Sequence, residues 1–375
     1  MLKRILRIRV KNEEALRKVK SKIPPTSFCK LTMGKKYEQR DFPYWEGMPE
    51  YTQIKKDPYG LFKVDITGRT AEELSHTFQQ PVTDKTKSIW YPRLIKRKRL
   101  RWKANVKNIN QHPLYIISKG RPACITSKAL DAMGAEYKIV IESVDEAAYS
   151  EHYPASKLLV TNFSDLGQGS IPVRNFVWDH AAAAGHTHHW VLDDNIEAFN
   201  ILYKNTKDEC DTVSIFRYAE DFVGLFDNVK QAGFNYYSFA KSTEGLPPYY
   251  TNTRVYSCIL VDNSIPFRWR GKYNEDTDFS LRILKAGYCT ILFNMFLAGK
   301  VTTQRMAGGN TDNVYTDNDE RLSFAQSLKN QHPDVVKITR KFNRFHHSVN
   351  YSGFTQTLNR VREPDFDHTN KLYQV

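Results

Sequence analysis

A rhythm of short apolar strands and helices between residues 114 and 192 constrains the fold more than any other feature. Each apolar stretch of four or five residues is followed by polar residues and then by a helical pattern. Strands that alternate with helices in this way form a parallel sheet with helices on both faces, so we predict an α/β fold. The predicted strands are 114–117, 137–141, 157–160 and 188–192, and the predicted helices are 123–133, 145–153 and 175–184.

Polar residues follow three of the predicted strands, at the point where each strand ends. Ligands of open parallel sheets bind beyond the carboxyl ends of the strands. We therefore expect these side chains to converge on one rim of the sheet, the rim at which the parallel strands end. They are Ser118, Lys119 and Arg121 after the first strand, Glu142 after the second, and Asp193, Asp194 and Asn195 after the fourth.

The sequence Asp193-Asp194-Asn195 is the sharpest of these features. Two adjacent carboxylates at the end of a buried strand repel each other unless a cation neutralises them, and such oxygen donors suit Mg²⁺ or Mn²⁺. The alternative is an ordinary polar turn, which Asp and Asn favour in any case.

A second acidic cluster opens a predicted helix that ends at Gly287. It contains Glu275, Asp276 and Asp278. Acids at a helix N-terminus often do no more than complement the helix dipole. The functional alternative is that one of these carboxylates acts as a general base toward an acceptor hydroxyl.

Positive charge is concentrated in the first 110 residues. The whole chain carries 55 Lys and Arg against 41 Asp and Glu, and residues 1–110 hold 27 of those bases but only 11 of those acids. Such an excess favours a polyanionic partner, here nucleic acid. The densest run, predicted to bind nucleic acid, contains Lys96, Arg97, Lys98, Arg99, Arg101 and Trp102; the alternative is a solvated basic linker.

The N-terminal segment has its own pattern of elements. Strands at 5–10, 61–66 and 88–91 and helices at 12–23 and 70–78 predict a small α+β module. We therefore predict three parts: a basic, nucleic-acid-binding α+β domain at 1–110, a catalytic α/β domain at 111–330, and a C-terminal extension at 331–375 that packs on the catalytic domain.

Composition narrows the class of protein. The chain is 41% hydrophobic and 26% charged, which is typical of globular proteins. We find no stretch near the roughly 18 apolar residues that a membrane span needs. The five cysteines include no C-x-x-C pair, so neither a disulfide framework nor a cysteine zinc site is indicated. We expect a cytoplasmic protein without membrane contact.

Several motifs, in this order, resemble those of the TET/JBP-associated glycosyltransferases of phages. They are Tyr115–Arg121, Val140–Glu142, the loop Gly167–Gly169 with Arg174 and Asn175, Val191–Ile196, and Asn274–Asp278. The resemblance covers about residues 112–312. It implies the GT-A fold, a Rossmann-like and mostly parallel sheet between helices, in which a DxD-like motif holds a metal bound to the diphosphate of a nucleotide sugar.

The resemblance also implies roles for individual residues. Contacts to the nucleotide sugar are expected from Ser118, Arg121, Glu142, Arg174, Asn175 and Asp193. Asp194 is the expected metal ligand, with Asp193 and Asn195 beside it. Asp276 is the expected catalytic base, with Glu275 and Asp278 as alternatives.

The implied reaction is metal-dependent transfer of a sugar from UDP-glucose or a related UDP-sugar to a modified pyrimidine in phage DNA. The acceptor is the hydroxymethyl group of 5-hydroxymethylcytosine or 5-hydroxymethyluracil, and the compartment is the host cytoplasm. One alternative is a glycosyltransferase with a polysaccharide, lipid-linked or protein acceptor. Another is a nucleic-acid-binding protein without enzymatic activity, or a metal nuclease.

Overall fold

The structure is a computed structural model that divides into two compact units. It describes residues 4–33, 42, 44–51, 58–93, 102–104, 110–242, 245–271, 273–301, 321–341, 344–363 and 372–374. The small unit comprises residues 1–41, 53–99 and 243–245, and the large unit comprises residues 42–52, 100–242 and 246–375.

The small unit is a four-stranded sheet with two helices. Its elements are β1 (Ile5–Val10), α1 (Glu13–Lys22), β2 (Phe28–Met33), β3 (Gly60–Asp65), α2 (Ala71–Phe78) and β4 (Ser88–Tyr91). The strand order is β2-β3-β1-β4, with β1 parallel to β4 and antiparallel to β3. Strand β2 was not predicted, because five of its six side chains are exposed and it has no apolar alternation.

Local signals set both helices of the small unit. The Asn12 side chain accepts a hydrogen bond from the backbone N–H of Ala15 and caps α1. Thr70 and Glu73 form a reciprocal capping box at the start of α2. The apolar residues of both helices pack with alternate residues of the strands, among them Leu6, Ile8, Val10, Phe62 and Val64.

The large unit contains the remaining elements. Its strands are β5 (Trp102–Ala104), β6 (Leu114–Ile117), β7 (Lys138–Ile141), β8 (Leu158–Val160), β9 (His188–Asp193), β10 (Ile196–Tyr203), β11 (Thr206–Glu209), β12 (Val229–Tyr236), β13 (Tyr249–Thr251), β14 (Cys258–Asp262), β15 (Cys289–Lys300), β16 (Val336–Lys341), β17 (Arg344–Val349) and β18 (Leu372–Gln374). Its helices are α3 (Ile125–Ala132), α4 (Glu146–Ser150), α5 (Ile171–Ala183), α6 (Ser214–Val223), α7 (Glu275–Lys285) and α8 (Arg321–Gln331).

A ten-stranded sheet forms the centre of the large unit. Its order is β11-β10-β15-β12-β14-β9-β6-β7-β8, and β13 pairs with β15. Strands β8, β7, β6 and β9 are parallel, as predicted, and helices connect them. The α/β class expected of a GT-A glycosyltransferase is confirmed.

One antiparallel strand decides which chain ends meet at the rim. Strand β14 runs antiparallel to both β9 and β12, so its first residue lies beside the carboxyl end of β9. Strand β15 is parallel to β12 and ends at Lys300, opposite Ile196 at the start of β10. The last residue of β15 and the first residue of β14 therefore share the rim with the ends of β6, β7 and β9.

Residues 42–52 belong to the large unit, whereas the sequence placed them in the N-terminal domain. Trp45 and Tyr51 are buried in the main core, and the Trp45 ring lies 5.3 Å from that of Phe222. The Tyr51 hydroxyl donates a hydrogen bond to the Leu246 carbonyl. Apolar packing therefore assigns this short segment to the large unit.

The C-terminal segment lies in the large unit as well. Strands β16 and β17 form a hairpin, and Val336 packs with Leu281 and Leu328. The Asn252 side chain donates hydrogen bonds to the carbonyls of Phe354 and Gln356. In the part of the chain that is described, no helix is long and apolar enough to cross a membrane.

Candidate active site

The carboxyl ends of β6 and β9 are joined through the Asp194 carboxylate. The Ser118 hydroxyl donates to it at 2.8 Å, and the Arg121 guanidinium donates to its other oxygen at 2.9 Å. Tyr149 is fully buried and places Ser118 and Arg121, through a 2.6 Å contact to the serine hydroxyl and a 3.0 Å bond from the arginine backbone N–H. Burial raises the pKa of Asp194, although Arg121 and Ser118 oppose this effect.

Glu142 directly follows β7 and fixes the carboxyl end of that strand. Its buried carboxylate accepts hydrogen bonds from the Lys119 ammonium at 2.7 Å and from the Asp165 backbone N–H at 2.8 Å. Lys119 also pairs with the exposed carboxylate of Asp165. The structure therefore brings Ser118, Lys119, Arg121 and Glu142 to one rim, as expected for parallel strands.

Asp193 lies between two cations. Its Oδ2 accepts from the Lys300 ammonium at 2.6 Å and from the Ser257 hydroxyl at 2.6 Å, while its Oδ1 lies 3.5 Å from Arg174. Burial opposes the charge on Asp193, but Lys300 and Arg174 outweigh burial and lower the pKa of Asp193. Asp193 also raises the pKa of Lys300 against the effect of burial.

Arg174 is a buried cation shared among three carboxylates. Its guanidinium lies 3.3 Å from Asp276, 3.5 Å from Asp193 and 3.7 Å from Glu275. Its Nη1 is buried and has no hydrogen-bond partner in the described structure. The sequence placed Arg174 at a helix start, but α5 begins at Ile171, so Arg174 faces the acids from inside the helix.

Asp276 is the carboxylate of this cluster whose pKa is raised most clearly. Burial is the largest influence and raises the pKa of Asp276 to about 7. Glu275 and Asp193 act in the same direction, and Arg174 and Lys300 act against it. Its Oδ1 accepts no hydrogen bond in the described structure, whereas Glu275 accepts one from Ser170 at 2.8 Å. Asp276 is therefore the less constrained of the two carboxylates.

Asp278, which the sequence offered as an alternative base, lies in a different cluster from Asp276. Its buried carboxylate accepts from Arg270 at 3.0 Å and contacts His332 at 2.8 Å, and Arg282 lies 3.7 Å away. Burial would raise the pKa of Asp278, but His332 and Arg270 outweigh burial and lower it. Residues two apart on a helix point in nearly opposite directions, which separates Asp278 from Asp276.

The amides of Asn175 and Asn195, both expected at the site, have different surroundings. The Asn175 side chain donates to the Trp269 carbonyl and accepts from the Trp269 backbone N–H, both at 3.0 Å. It therefore fixes a loop. Asn195 is almost fully buried, and its Oδ1 has no partner in the described structure.

The predicted metal site does not fit this arrangement. A divalent ion needs oxygen ligands that are free of competing cations, but Asp193 holds Lys300 and Asp194 holds Arg121. Within the ranges given above, no three His, Cys, Asp or Glu side chains are grouped as metal ligands would be. Asp193, Asp194 and Asn195 are together at the rim, yet protein cations already neutralise both carboxylates.

Three residues of the site were not predicted from the sequence: Ser257, Tyr236 and Lys300. Tyr236 lies 2.6 Å from the Ser257 hydroxyl, which in turn donates to Asp193. The signal for Lys300 was present, since a single cation ends a twelve-residue strand that is mostly buried. Ser257 and Tyr236 carried no comparable signal, because neither is charged and both residue types are common throughout the chain.

Ser257 has a strained backbone. Its φ is +58°, in the left-handed region that non-glycine residues rarely adopt. Its carbonyl accepts from the Asp193 backbone N–H at 2.8 Å. Gly233 permits the close approach of this turn, because a Cβ there would lie 2.2 Å from the Cys258 carbonyl oxygen. Such strain often accompanies a functional site.

Only the end of the predicted nucleic-acid-binding run lies among the described residues. Lys96, Arg97, Lys98, Arg99 and Arg101 lie outside the described residues. The backbone of Trp102 belongs to β5, which pairs with β18. The role of this run stays a prediction.

The fold and the rim define an α/β protein that gathers acids and bases at the carboxyl ends of its strands. Residues 112–309 match the sequence model of the TET-Associated Glycosyltransferase family. The match spans more than half of the chain, so the chain belongs to this family and is a glycosyltransferase.

Other comparisons add little. The chain is similar to the crystal structure of a candidate nucleotide-diphospho-sugar transferase from Desulfovibrio desulfuricans G20. The identity is 9%, the TM-score is 0.30, and the match covers 49% of this chain and 80% of that one. A likeness of this strength carries no argument about function. A comparison with curated proteins found no match.

Proposed function

We propose that the chain transfers a sugar from a nucleotide sugar, a UDP-sugar, to the hydroxymethyl group of a modified pyrimidine in DNA. Membership of a glycosyltransferase family supports the class of reaction. The observation that carries the mechanism is the half-buried Asp276 carboxylate, 3.3 Å from Arg174 and with its pKa raised to about 7.

Asp276 acts as the general base in this proposal. A carboxyl with a pKa near 7 is ionised in about half of the molecules at neutral pH and still accepts a proton readily. Asp276 takes the proton of the acceptor hydroxymethyl group while that oxygen attacks the anomeric carbon of the sugar. The bond between this carbon and the diphosphate oxygen breaks at the same time, and the nucleoside diphosphate leaves.

Protein cations receive the charge that develops on the diphosphate. Lys300, Arg174 and Arg121 surround the acids of the rim, and all three are held in place by carboxylates. Fixed positive charges of this kind stabilise a leaving anion in a site with little water. Because the residues present do not fit a divalent ion, no step is assigned to one.

The basic N-terminal segment supports DNA as the acceptor. Residues 1–110 carry the entire excess positive charge of the chain, and a polyanion neutralises such a surplus. A hydroxymethyl group on a pyrimidine also supplies the primary alcohol that the base requires.

The test is a screen of nucleotide sugars against short oligonucleotides, read by intact mass. Oligonucleotides containing 5-hydroxymethylcytosine or 5-hydroxymethyluracil are expected to gain the mass of one sugar per modified base, and unmodified oligonucleotides are expected to gain none. A variant with Asp276→Asn serves as the inactive control. Transfer to a polysaccharide, lipid-linked or protein acceptor, with no transfer to DNA, would contradict the proposed acceptor.

A further inference from the structure

The two faces of the small unit's sheet differ in what covers them. Helices α1 and α2 pack on the face formed by the buried alternate residues of β1 and β3. The opposite face, called the open face below, has side chains that are half-buried or exposed. These are Lys30 and Thr32 from β2, Leu61, Lys63 and Asp65 from β3, Ile5, Arg7 and Arg9 from β1, and Ser88 and Trp90 from β4.

Strand register aligns eight of these side chains into two rows, and Asp65 pairs with Ile5 at the end of the face. Lys63 is opposite Lys30 on one side and Arg7 on the other, so these three cations form a row across neighbouring strands. With strands about 4.8 Å apart, this row spans roughly 10 Å. In the second row, Arg9 lies between Leu61 and Trp90.

The cationic row is unfavourable for the folded unit by itself. Like charges directly opposite each other on a sheet are destabilising. In the described part of the small unit, the ion pairs are formed by Arg4, Arg17 and Lys18, and none involves the three bases of this row. A bound polyanion would offset the repulsion and release its own counterions.

The second row provides a surface for stacking. Trp90 is half-buried on the edge strand and pairs in register with Arg9, whose guanidinium donates a hydrogen bond to Ser88 at 2.9 Å. Unpaired bases stack on aromatic rings and on guanidinium planes, whereas the bases of a duplex are already stacked on each other. Phosphate-binding cations next to an aromatic ring therefore favour a single strand.

We propose that the open face binds single-stranded DNA, with the phosphates on the row of Lys30, Lys63 and Arg7 and a base on Trp90. The choice of DNA rests on the proposed function; the choice of a single strand rests on the geometry of the face. The surface belongs to the small unit, whereas the rim that carries Asp276 belongs to the large unit.

The test is fluorescence anisotropy of the full-length chain with a labelled single-stranded DNA of about 12 nucleotides, without donor. The triple variant Arg7→Gln, Lys30→Gln, Lys63→Gln is expected to bind at least about tenfold more weakly. The slope of log affinity against log salt should fall by about two, since three phosphate contacts are lost. The matched control Arg17→Gln, Lys18→Gln, Lys20→Gln removes the same charge from exposed positions on α1 and should keep the slope.

A second pair of variants isolates stacking. Trp90→Leu is expected to weaken binding about tenfold without changing the salt slope, and Trp90→Phe should retain most of the affinity. Equal effects of the open-face and control triples would overturn the proposal, as would tighter binding of RNA or duplex of the same sequence. The binding assay contains no nucleotide sugar, so its result does not depend on catalysis. If the chain failed to transfer sugar to DNA, the binding result could still be interpreted. If the open face failed to bind DNA, the catalytic proposal would still stand.

Discussion

Asp276 and Asp278 lie two residues apart in the first turn of α7, yet their surroundings are opposite. Asp276 shares one buried guanidinium with Glu275 and Asp193, and burial raises the pKa of Asp276 to about 7. Asp278 has Arg270, Arg282 and His332 around it, and these contacts lower the pKa of Asp278.

The difference shows how a helix N-terminus can supply both a base and an anchor. Where acids outnumber cations, the pKa of one carboxylate rises toward neutral pH, so that this carboxylate can take a proton. Where cations outnumber acids, the carboxylate stays ionised and ties segments together. Asp278 links α7 to Arg270 on the preceding loop and to His332 just after α8.

The largest expected effect is on catalysis by Asp276. Asp276→Asn should lower kcat for sugar transfer by about a thousandfold, because the amide cannot take the acceptor proton. For the unmodified chain, kcat/KM should rise with pH and level off above an apparent pKa of about 7, since only the ionised carboxylate is active. The measurement is the transfer rate between pH 5 and 9.

A smaller expected effect concerns stability and Asp278. Asp278→Asn should cost about 3 kcal/mol at neutral pH, because the buried carboxylate loses its charge and its contacts with Arg270, Arg282 and His332 weaken. A fall in Tm of about 6 to 12 °C is expected in thermal melts. Since the pKa of Asp278 is lowered by folding, the difference from the unmodified chain should disappear as the pH falls below the ordinary value near 4.

These two variants are controls for each other. If Asp278→Asn abolished transfer while leaving Tm unchanged, the assigned roles of the two acids would be wrong. The same conclusion would follow if Asp276→Asn melted as early as Asp278→Asn and kept its activity.

Lys300→Gln should have a somewhat smaller effect on transfer. Loss of one fixed positive charge beside Asp193 is expected to lower kcat by about a hundredfold. Lys285→Gln, which removes a lysine paired with Asp334 at the far end of α7, is the matched control and should retain full activity. Equal rates for the two variants would remove Lys300 from the mechanism.

The smallest expected effect is that of metal chelation. Because Lys300 and Arg121 already neutralise Asp193 and Asp194, EDTA should change the transfer rate by less than about twofold. Rates are compared before and after chelation and after addition of Mn²⁺. Loss of activity in EDTA with recovery in Mn²⁺ would restore the metal site that the sequence predicted.

Much of the fold was predictable because its signals are local. The capping residues Asn12 and Thr70 and the apolar stretches of β4 and β6 gave element types and nearly correct bounds. Strand β2 was missed because pairing with β3, rather than its own exposed side chains, makes it a strand.

The candidate site was predictable only for residues that directly follow parallel strands, because the carboxyl ends of such strands meet at one rim of the sheet. Ser118, Glu142 and Asp194 follow parallel strands, so their convergence follows from strand order alone. The contact between Lys300 and Asp193 joins residues 107 positions apart and depends on the antiparallel insertion of β14. Helical geometry could have separated Asp276 from Asp278, but the cations that distinguish them come from other elements.

The most direct test of the central claim is a carbon-13 NMR titration of the Asp side-chain carboxyls in the unmodified chain, assigned with the Asp276→Asn and Asp278→Asn variants. We predict that the Asp276 signal titrates with a pKa of about 7 and that the pKa of Asp278 lies below its ordinary value. If both carboxyls titrated together near pH 4, Asp276 would not be poised as a base and the proposed mechanism would fail.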